Sequence, residues 1–313
     1  MNKFSFFLLL FIALFLNFSC KKIDITPAYL VLTVEDFQDC IDVSKFNTDN
    51  FDNLDNLEEK LNIIKQQDFK DVLVTLNGTQ IGYWNLPCRI PLLPDYSRQN
   101  NIEVIPCVRV ANVTLTTVPY YFLKPVEKFF DLEKEGEYKF SDLFSNFKFE
   151  YAPSVAFPMV ETFVQGTSFK SLDSIHGANM DIFRENEESI GRILLTDTLL
   201  YFNIATSYLD LNAQVGGQRI RQFWEIHYKC DGEMVTYLDF RTLIYPQDMV
   251  VLPPTKGVWK TAYIDLTEEI AWAAGAASRV SVRLGIRGNR ISNAKNAYFY
   301  FGNIKLITMH APY

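Results

Sequence analysis

Four side chains in the last third of the sequence have the chemistry that a carbohydrate site needs: Trp259, Tyr263, Arg283 and Arg287. A flat aromatic ring packs against the apolar face of a sugar, and guanidinium groups donate hydrogen bonds to its hydroxyls. The same residues equally fit a packed tryptophan, its strand neighbour and two solvated arginines. Both interpretations stay open at the level of the sequence.

The sequence lacks the residue patterns of the common enzyme classes. Glycoside hydrolysis needs two carboxylates set apart across a groove, whereas Glu187-Glu188 and Glu268-Glu269 are adjacent pairs whose members point apart. Nucleophilic Ser, His and Asp arrangements, phosphate-binding glycine loops and zinc-ligand spacings are missing. We therefore predict a non-enzymatic protein that uses no cofactor and no metal.

Four cysteines remain when Cys20 is set aside: Cys40, Cys88, Cys107 and Cys230. In an exported chain, four cysteines allow three disulfide connectivities. We select Cys88 with Cys107, because a hairpin turning between Pro94 and Asn101 would place them opposite each other. Two buried thiols in neighbouring strands fit the sequence equally well.

The first 20 residues have the pattern of an export signal. Lys3 gives a basic start, and the apolar run from Phe6 to Leu16 is too short to span a bilayer comfortably. This segment, ending in Ser19-Cys20, resembles the signal of Bacteroidota-type lipoproteins. The resemblance implies that Cys20 is lipidated and that the protein is anchored in the outer membrane. Residues 21–27, which precede the first predicted strand, are expected to form a short tether. A simple secreted protein is the alternative, and the periplasmic or cell-surface face of the membrane stays undecided.

Composition narrows the class of partner. The formal net charge of −7 and the pI near 5.1 argue against nucleic acid, which attracts basic surfaces. Aromatic residues make up 15% of the chain and suit strands more than helices. A length of 313 residues is enough for two domains.

Two stretches near the C-terminus alternate with the period of a strand. In Gly257 to Leu266, Trp259, Thr261, Tyr263 and Asp265 fall on one side. In Asn296 to Ile307, Tyr298, Tyr300, Ile304 and Leu306 are expected to oppose Phe299, Phe301, Asn303 and Lys305. Together with the ending Phe-Gly-Asn-Ile, these stretches resemble the jelly-roll modules of the galactose-binding-like class, in which Asp is common where Gly302 stands. The resemblance implies a jelly-roll β-sandwich over residues 149–313.

The N-terminal half shows a different series of strands. Val72, Val74 and Leu76 alternate, Asn77-Gly78 predicts a two-residue turn, and the return strand begins at Ile81. The order of strand, Asn-Gly, Ile-Gly, Leu-Pro, strand and turn resembles the PEGA-type β-sandwich. The chain is accordingly expected to be mainly β, with a small PEGA-like β-sandwich over residues 28–148 followed by the jelly roll.

Two functions fit this organisation. The order of motifs resembles outer-membrane lipoproteins that act as accessory subunits of barrel-assembly or secretion complexes. In that case, the aromatic segment of Tyr120, Tyr121 and Phe122 would belong to an exposed interface with outer-membrane proteins. The alternative is a surface carbohydrate-binding lipoprotein, whose jelly roll would bind a glycan through Trp259 and its neighbours.

Overall fold

The computed structural model describes residues 26–111, 116–145, 147–173, 175–185, 188–290 and 295–309. The predicted export signal, with Cys20, lies outside the described residues. Strands dominate the described chain, which confirms the mainly β prediction. None of its helices is long and apolar enough to cross a membrane.

The described part of the N-terminal half contains ten strands, two α-helices, and two 3-10 helices at Glu35–Phe37 and Thr48–Asn50. Its strands and α-helices are β1 (Ala28–Leu32), β2 (Ile41–Asp42), α1 (Leu57–Lys65), β3 (Asp71–Leu76), β4 (Thr79–Asn85), β5 (Cys88–Leu92), β6 (Asn100–Val110), β7 (Thr116–Pro119), β8 (Val126–Phe130), β9 (Glu137–Lys139), α2 (Phe140–Leu143) and β10 (Phe149–Glu150).

The C-terminal half contains fourteen strands and one helix within its described residues. They are β11 (Val155–Glu161), β12 (Lys170–Ser171), β13 (Asp181–Glu185), β14 (Glu188–Leu195), β15 (Tyr201–Ala205), β16 (Leu209–Asn212), β17 (Gln214–Val215), β18 (Gln218–Arg219), β19 (Arg221–Cys230), β20 (Met234–Phe240), β21 (Gln247–Leu252), β22 (Lys260–Asp265), α3 (Thr267–Ala274), β23 (Arg279–Asn289) and β24 (Ala297–Met309).

The C-terminal strands form a β-sandwich of two sheets. The larger sheet has the order β13-β14-β24-β19-β22, with β11 beside β24, and the smaller has the order β12-β15-β23-β20-β21, with β16 beside β23. In β19, Trp224, Ile226, Tyr228 and Cys230 all face the buried core, as their alternation predicts. The predicted sandwich is therefore present, and it sets two outer faces on opposite sides of one apolar core.

The alternation predicted for β24 is right only up to Gly302. Opposite this residue the register with β19 shifts, so that Tyr228 pairs with Phe301 but His227 pairs with Asn303. The extra residue is a β-bulge, which moves every later side chain to the other face of the sheet. Phe299 and Phe301 therefore share the core with Ile304 and Leu306 rather than opposing them, as our prediction had them.

In the N-terminal half, one sheet carries β4, β3 and β6, with β7 and β8 on the far side of β6, and a second sheet has the order β5-β1-β9. The Asn77-Gly78 turn is confirmed, since φ is 53° at Asn77 and 75° at Gly78. The two sheets share one core that includes Leu30, Val74 and Ile90. The resemblance to the PEGA class stays a prediction.

The predicted Cys88–Cys107 disulfide is wrong for this structure, because all four described cysteines are free thiols. The expected hairpin does not form: β5, which holds Cys88, pairs with β1, whereas β6, which holds Cys107, pairs with β3. Cys88 packs against the main N-terminal core, and Cys107 lies in a separate small cluster with Leu73 and Ile105. The alternative of unpaired thiols agrees with these contacts.

The two halves meet along the outer face of the larger sheet. Strands β22 and β6 join at one parallel pair, Tyr263 with Val110, and the Ala111 amide donates to the Tyr263 carbonyl at 2.9 Å. A further isolated bridge joins Phe51 to Phe157 of β11. One apolar core spans the junction and includes Phe157 and Phe223. The division predicted at residue 149 stays a prediction, although β10 pairs with the N-terminal β2 and β11 pairs with the C-terminal β24.

The aromatic segment predicted to be an exposed interface is largely internal. Tyr120 and Phe122 are fully buried, and the Phe122 ring packs edge-on against Phe223 of the larger sheet at 5.3 Å. Only Tyr121 is exposed, at 44%, with the Arg221 guanidinium 4.1 Å from its ring centre. The prediction is therefore wrong for Tyr120 and Phe122, which join the two halves of this chain.

A buried ion pair lies at the centre of the junction. Lys305 Nζ is 3.2 Å from Glu225 Oε2, and both side chains are at most 2% exposed. Lys305 also donates to the carbonyls of Ile63 and Gln66, at 3.2 and 3.0 Å, and so caps the C-terminal end of α1. Burial lowers the pKa of Lys305, whereas the neighbouring Glu225 favours its charged form.

Three tyrosines lie around this ion pair; Tyr120 hydrogen-bonds to it directly, and the other two hydrogen-bond to neighbouring groups. The Tyr120 hydroxyl donates to Glu225 Oε1 at 2.5 Å, the Tyr263 hydroxyl donates to Gln67 at 3.2 Å, and the Tyr151 hydroxyl donates to the Ile64 carbonyl at 2.7 Å. Burial raises the pKa of Tyr120 and Tyr263 well above the usual value, so both hydroxyls stay protonated donors. The polar groups at the junction are thus satisfied by partners from both halves.

We predict that Lys305→Met destabilises the protein by about 3–5 kcal/mol, because Glu225 would remain buried without its counter-ion. Chemical denaturation of the full chain measures this free energy of unfolding. Lys45→Met is the matched control, since Lys45 pairs with Glu150 at the surface and its side chain is 72% exposed. Equal effects of the two substitutions on the free energy of unfolding would contradict the conclusion that the buried Lys305–Glu225 pair stabilises the junction.

Candidate functional site

The outer face of the smaller sheet is available to a ligand. None of the described hydrogen bonds joins the N-terminal half to a strand of the smaller sheet. In β23, Val282, Leu284 and Ile286 face the core, so Arg283, Gly285 and Arg287 face outward. The period of two along β23 therefore places both arginines on the solvent side of the smaller sheet.

Both outward arginines of β23 are held by carboxylates. Arg283 Nε donates to Asp239 Oδ2 at 2.9 Å across the β23–β20 ladder. Arg287 Nη2 donates to Asp248 Oδ2 at 2.5 Å. Because each guanidinium is already oriented by its partner, its remaining N–H groups are fixed in direction.

Two tyrosine rings lie among these pairs. The Tyr208 ring has the guanidinium of Arg283 at 4.6 Å and that of Arg241 at 4.7 Å from its centre. Tyr237 lies across Gly285, where a Cβ atom would overlap its ring. Gly285 is therefore required by the close approach of this ring to the backbone.

The Tyr237 hydroxyl is fixed by a hydrogen bond to Asn203 Oδ1 at 2.6 Å. Burial raises the pKa of Tyr237 to about 12, so the hydroxyl stays protonated at neutral pH. The Arg287 guanidinium lies 5.7 Å from the centre of the same ring. Tyr237 thus forms the floor between the two arginine–aspartate pairs.

A cleft of about 600 Å³ opens at one end of this face. It is lined by Tyr201, Phe202, Asn203, Gly232, Glu233, Val235, Pro254, Arg287, Gly288, Asn289 and Arg290. The Tyr201 hydroxyl donates to Asp173, and this bond is the main reason that the pKa of Asp173 falls to about 2. We call the area from Tyr208 to this cleft the arginine face.

The structure separates the four residues predicted to form a site. Arg283 and Arg287 both lie on the arginine face. Trp259 lies on the outer side of the larger sheet, where it stacks on His227 at 4.8 Å with an angle of 8° between the rings. Tyr263 is buried at the junction and hydrogen-bonds to Gln67. The four residues therefore do not form one site.

Sequence reasoning missed the partners of the two arginines. Asp239 and Asp248 lie on β20 and β21, and Tyr208 precedes β16. The outward position of Asp239 is readable from the alternation of β20, in which Leu238 and Phe240 face the core. Its pairing with Arg283 depends on the register of β20 against β23, which the sequence pattern does not give.

His227 is the described histidine with an unusual environment. Its Nδ1 lies 3.1 Å from the Thr261 hydroxyl, and its ring is covered by Trp259. Burial lowers the pKa of His227 to about 4, so the ring is neutral at physiological pH. Among the described residues, no group of three His, Cys, Asp or Glu side chains could hold a metal ion.

The pKa of His227 predicts a pH dependence of stability. The unfolded chain binds a proton at His227 below about pH 6.5, and the folded chain does so only below about pH 4. Stability is therefore lost as the pH falls from about 6.5 to about 4, by up to roughly 3 kcal/mol. Denaturation at several pH values should show a smaller loss for His227→Gln than for the unaltered protein. Parallel pH profiles for the two proteins would contradict the burial of a neutral imidazole.

No protein-family profile matches this chain, and no curated protein matches it. Solved structures with a similar fold include a family 29 carbohydrate-binding module, which is 8% identical and superposes with a TM-score of 0.31. That match covers 50% of this chain and 87% of the module.

Two further structures match comparably. The family 11 carbohydrate-binding module of the cellulosomal cellulase Lic26A-Cel5E of Clostridium thermocellum is 11% identical, with a TM-score of 0.30, and the match covers 50% of this chain and 95% of the module. The glycoside hydrolase domain of Endo-D from Streptococcus pneumoniae is also 11% identical, with a TM-score of 0.29, over 44% of this chain and 21% of that one. The β-sandwich assigned above rests on the strands of this chain.

Proposed function

We propose that this protein is a non-enzymatic carbohydrate-binding protein whose arginine face holds the ligand. One observation carries the proposal: on the outer face of the smaller sheet, two arginine–aspartate pairs lie on either side of Tyr237, which is 1% exposed and forms a closed floor between them. Arg283 and Arg287 are four residues apart on β23, which corresponds to roughly 13 Å along a strand. The two pairs therefore contact different units of an oligosaccharide.

The chemistry of the arginine face suits sugar hydroxyls. Each arginine–aspartate pair offers fixed N–H donors beside carboxylate oxygens that accept, so it can engage hydroxyls that both donate and accept. The Tyr208 ring adds apolar area between Arg241 and Arg283. A largely apolar ligand would leave these polar groups without partners, at a cost in affinity.

The same contacts support binding without hydrolysis. A glycosidase needs two carboxyl groups that face one glycosidic bond. Asp239 and Asp248 are each engaged with an arginine, and Glu233 is the carboxylate that lines the cleft. The arginine face therefore offers positioning groups, with no described pair of carboxylates free to act as acid and base.

We predict that Arg287→Ala weakens binding of a β-1,4-linked hexasaccharide roughly 10- to 100-fold, because a hydrogen bond to a charged group contributes about 1.5–3 kcal/mol. Isothermal titration calorimetry with hexasaccharides of glucose and of mannose measures the affinity.

The control for this experiment is Arg98→Ala, which removes an arginine from an exposed ion pair with Asp95 in the N-terminal half. This variant should bind as the unaltered protein does. If the unaltered protein binds neither hexasaccharide and no sugar of a wider glycan array, carbohydrate binding is refuted.

The role as an accessory subunit of an envelope complex loses its structural basis. The prediction of this role located the partner interface at Tyr120, Tyr121 and Phe122, of which only Tyr121 is exposed. Tyr120 instead donates to Glu225 within the chain. No other observation on the described residues favours this role over glycan binding.

We also propose that Cys20 carries a lipid that anchors the protein in the outer membrane, as the pattern of the first 20 residues supports. Cys20→Ala is expected to move the protein from the membrane fraction to the soluble fraction, because an acyl chain contributes about 0.8 kcal/mol per buried methylene. Cell fractionation followed by immunoblotting measures the distribution, with Cys40→Ala as the control. A Cys20→Ala protein that stays with the membranes would rule out this anchor.

A further inference from the structure

The outer face of the larger sheet is covered at one end only. Glu225, Tyr263 and Lys305 lie beneath the N-terminal half. The other end carries six large, partly exposed side chains: Phe183, Arg192, Lys229, Trp259, Tyr298 and Tyr300. We call these six residues the aromatic face. Solvent-facing positions of an antiparallel sheet are usually polar, so four aromatic rings together at such positions are unusual.

Cations and rings alternate across the aromatic face. Arg192 lies 4.6 Å from the centre of the Phe183 ring, and Lys229 Nζ lies 4.8 Å from the centres of both Trp259 and Tyr300. Tyr298 stacks beside Tyr300 at 5.9 Å, with 5° between the rings. These contacts hold the rings in one arrangement before any ligand binds, which lowers the entropy cost of binding.

Gly302 leaves the space that the Trp259 ring of the aromatic face occupies. A Cβ atom there would lie 2.8 Å from Cδ2 of His227 and 3.3 Å from Cζ3 of Trp259. The aspartate that is common at this position in the galactose-binding-like class could not occupy it without displacing both rings. The Trp259 indole therefore extends across β19 toward β24, so that the aromatic face is continuous.

The cations of the aromatic face are neutralised locally. Arg192 pairs with Asp181 at 2.6 Å, and Lys229 pairs with Glu185 at 3.1 Å. The side chains of Arg192 and Lys229 are 28% and 17% exposed. A face whose two cations are both paired, and which is rich in hydroxyl, guanidinium and carboxylate groups, complements a neutral polyol better than a polyanion or an apolar protein surface.

The aromatic face crosses five neighbouring strands, from β13 through β14, β24 and β19 to the start of β22. At the usual spacing between strands this is roughly 19 Å. A long and narrow face of this kind fits a linear chain of several sugar units more closely than a single sugar.

We propose that the aromatic face is a second binding site for a neutral linear glycan, independent of the arginine face. The proposal shares its ligand class with the proposed function but none of its residues. The two sites lie on opposite sides of the sandwich, so one molecule would hold two glycan chains at once.

Calorimetric stoichiometry with the β-1,4-linked hexasaccharides tests the second site on the full chain. Two ligands per molecule are expected for the unaltered protein, and one for the double variant Trp259→Ala, Tyr300→Ala. One is also expected for Arg283→Ala, Arg287→Ala. Arg192→Gln keeps every ring of the aromatic face and should weaken one of the two sites at least threefold. This variant replaces the double alanine variant in the test if the latter fails to fold.

The outcomes separate this inference from the proposed function. One ligand per molecule, unaffected by Trp259→Ala, Tyr300→Ala and by Arg192→Gln, overturns the second site and leaves the arginine face intact. One ligand that is lost only in those variants supports the aromatic face and overturns the arginine face. Absence of any binding overturns both.

Discussion

The buried Lys305–Glu225 pair constrains this structure more than any other contact between its halves. Two charges removed from water destabilise a fold unless their remaining hydrogen-bonding capacity is used. Here Lys305 donates to the Ile63 and Gln66 carbonyls at the end of α1, and Glu225 accepts from Tyr120 and Gln67 of the N-terminal half. The N-terminal half therefore has one position on the larger sheet in which no buried charge is left without partners.

This constraint decides which surfaces of the sandwich can act in recognition. The N-terminal half covers the end of the larger sheet that holds Lys305 and leaves the end that holds Tyr300 open. The smaller sheet makes none of the described hydrogen bonds to that half, so Arg283 and Arg287 keep their outward positions. A sandwich with one sheet partly covered and the other free presents two polar and aromatic faces, and these are the two faces that we propose as glycan sites.

Local sequence patterns predicted much of the secondary structure because each depends on a few adjacent residues. The inward set of β19, from Trp224 to Cys230, and the outward arginines of β23 follow from an alternation of period two. The Asn77-Gly78 turn follows from the backbone conformations that these two residues tolerate. At Gly302 the same rule failed, because a bulge depends on the register with β19, and that register involves residues far away in sequence.

The candidate site could be predicted only in part for the same reason. Arg283 and Arg287 were identifiable as outward residues, but Asp239 and Asp248 became their partners through pairing between strands. Trp259 and Tyr263 share one side of the same segment and still differ in role. Tyr263 lies under the N-terminal half, and Trp259 lies beyond its reach.

The sequence by itself determined the β class, the alternation of most strands, the acidic charge and the pattern of an export signal, since each is a property of composition or of neighbouring residues. Tertiary structure alone decided that Tyr120 and Phe122 are internal and that Cys88 and Cys107 are apart. It also decided which outer faces are open. The physical reason is that burial and pairing depend on which distant segments meet, and here that choice follows from satisfying Lys305 and Glu225 together.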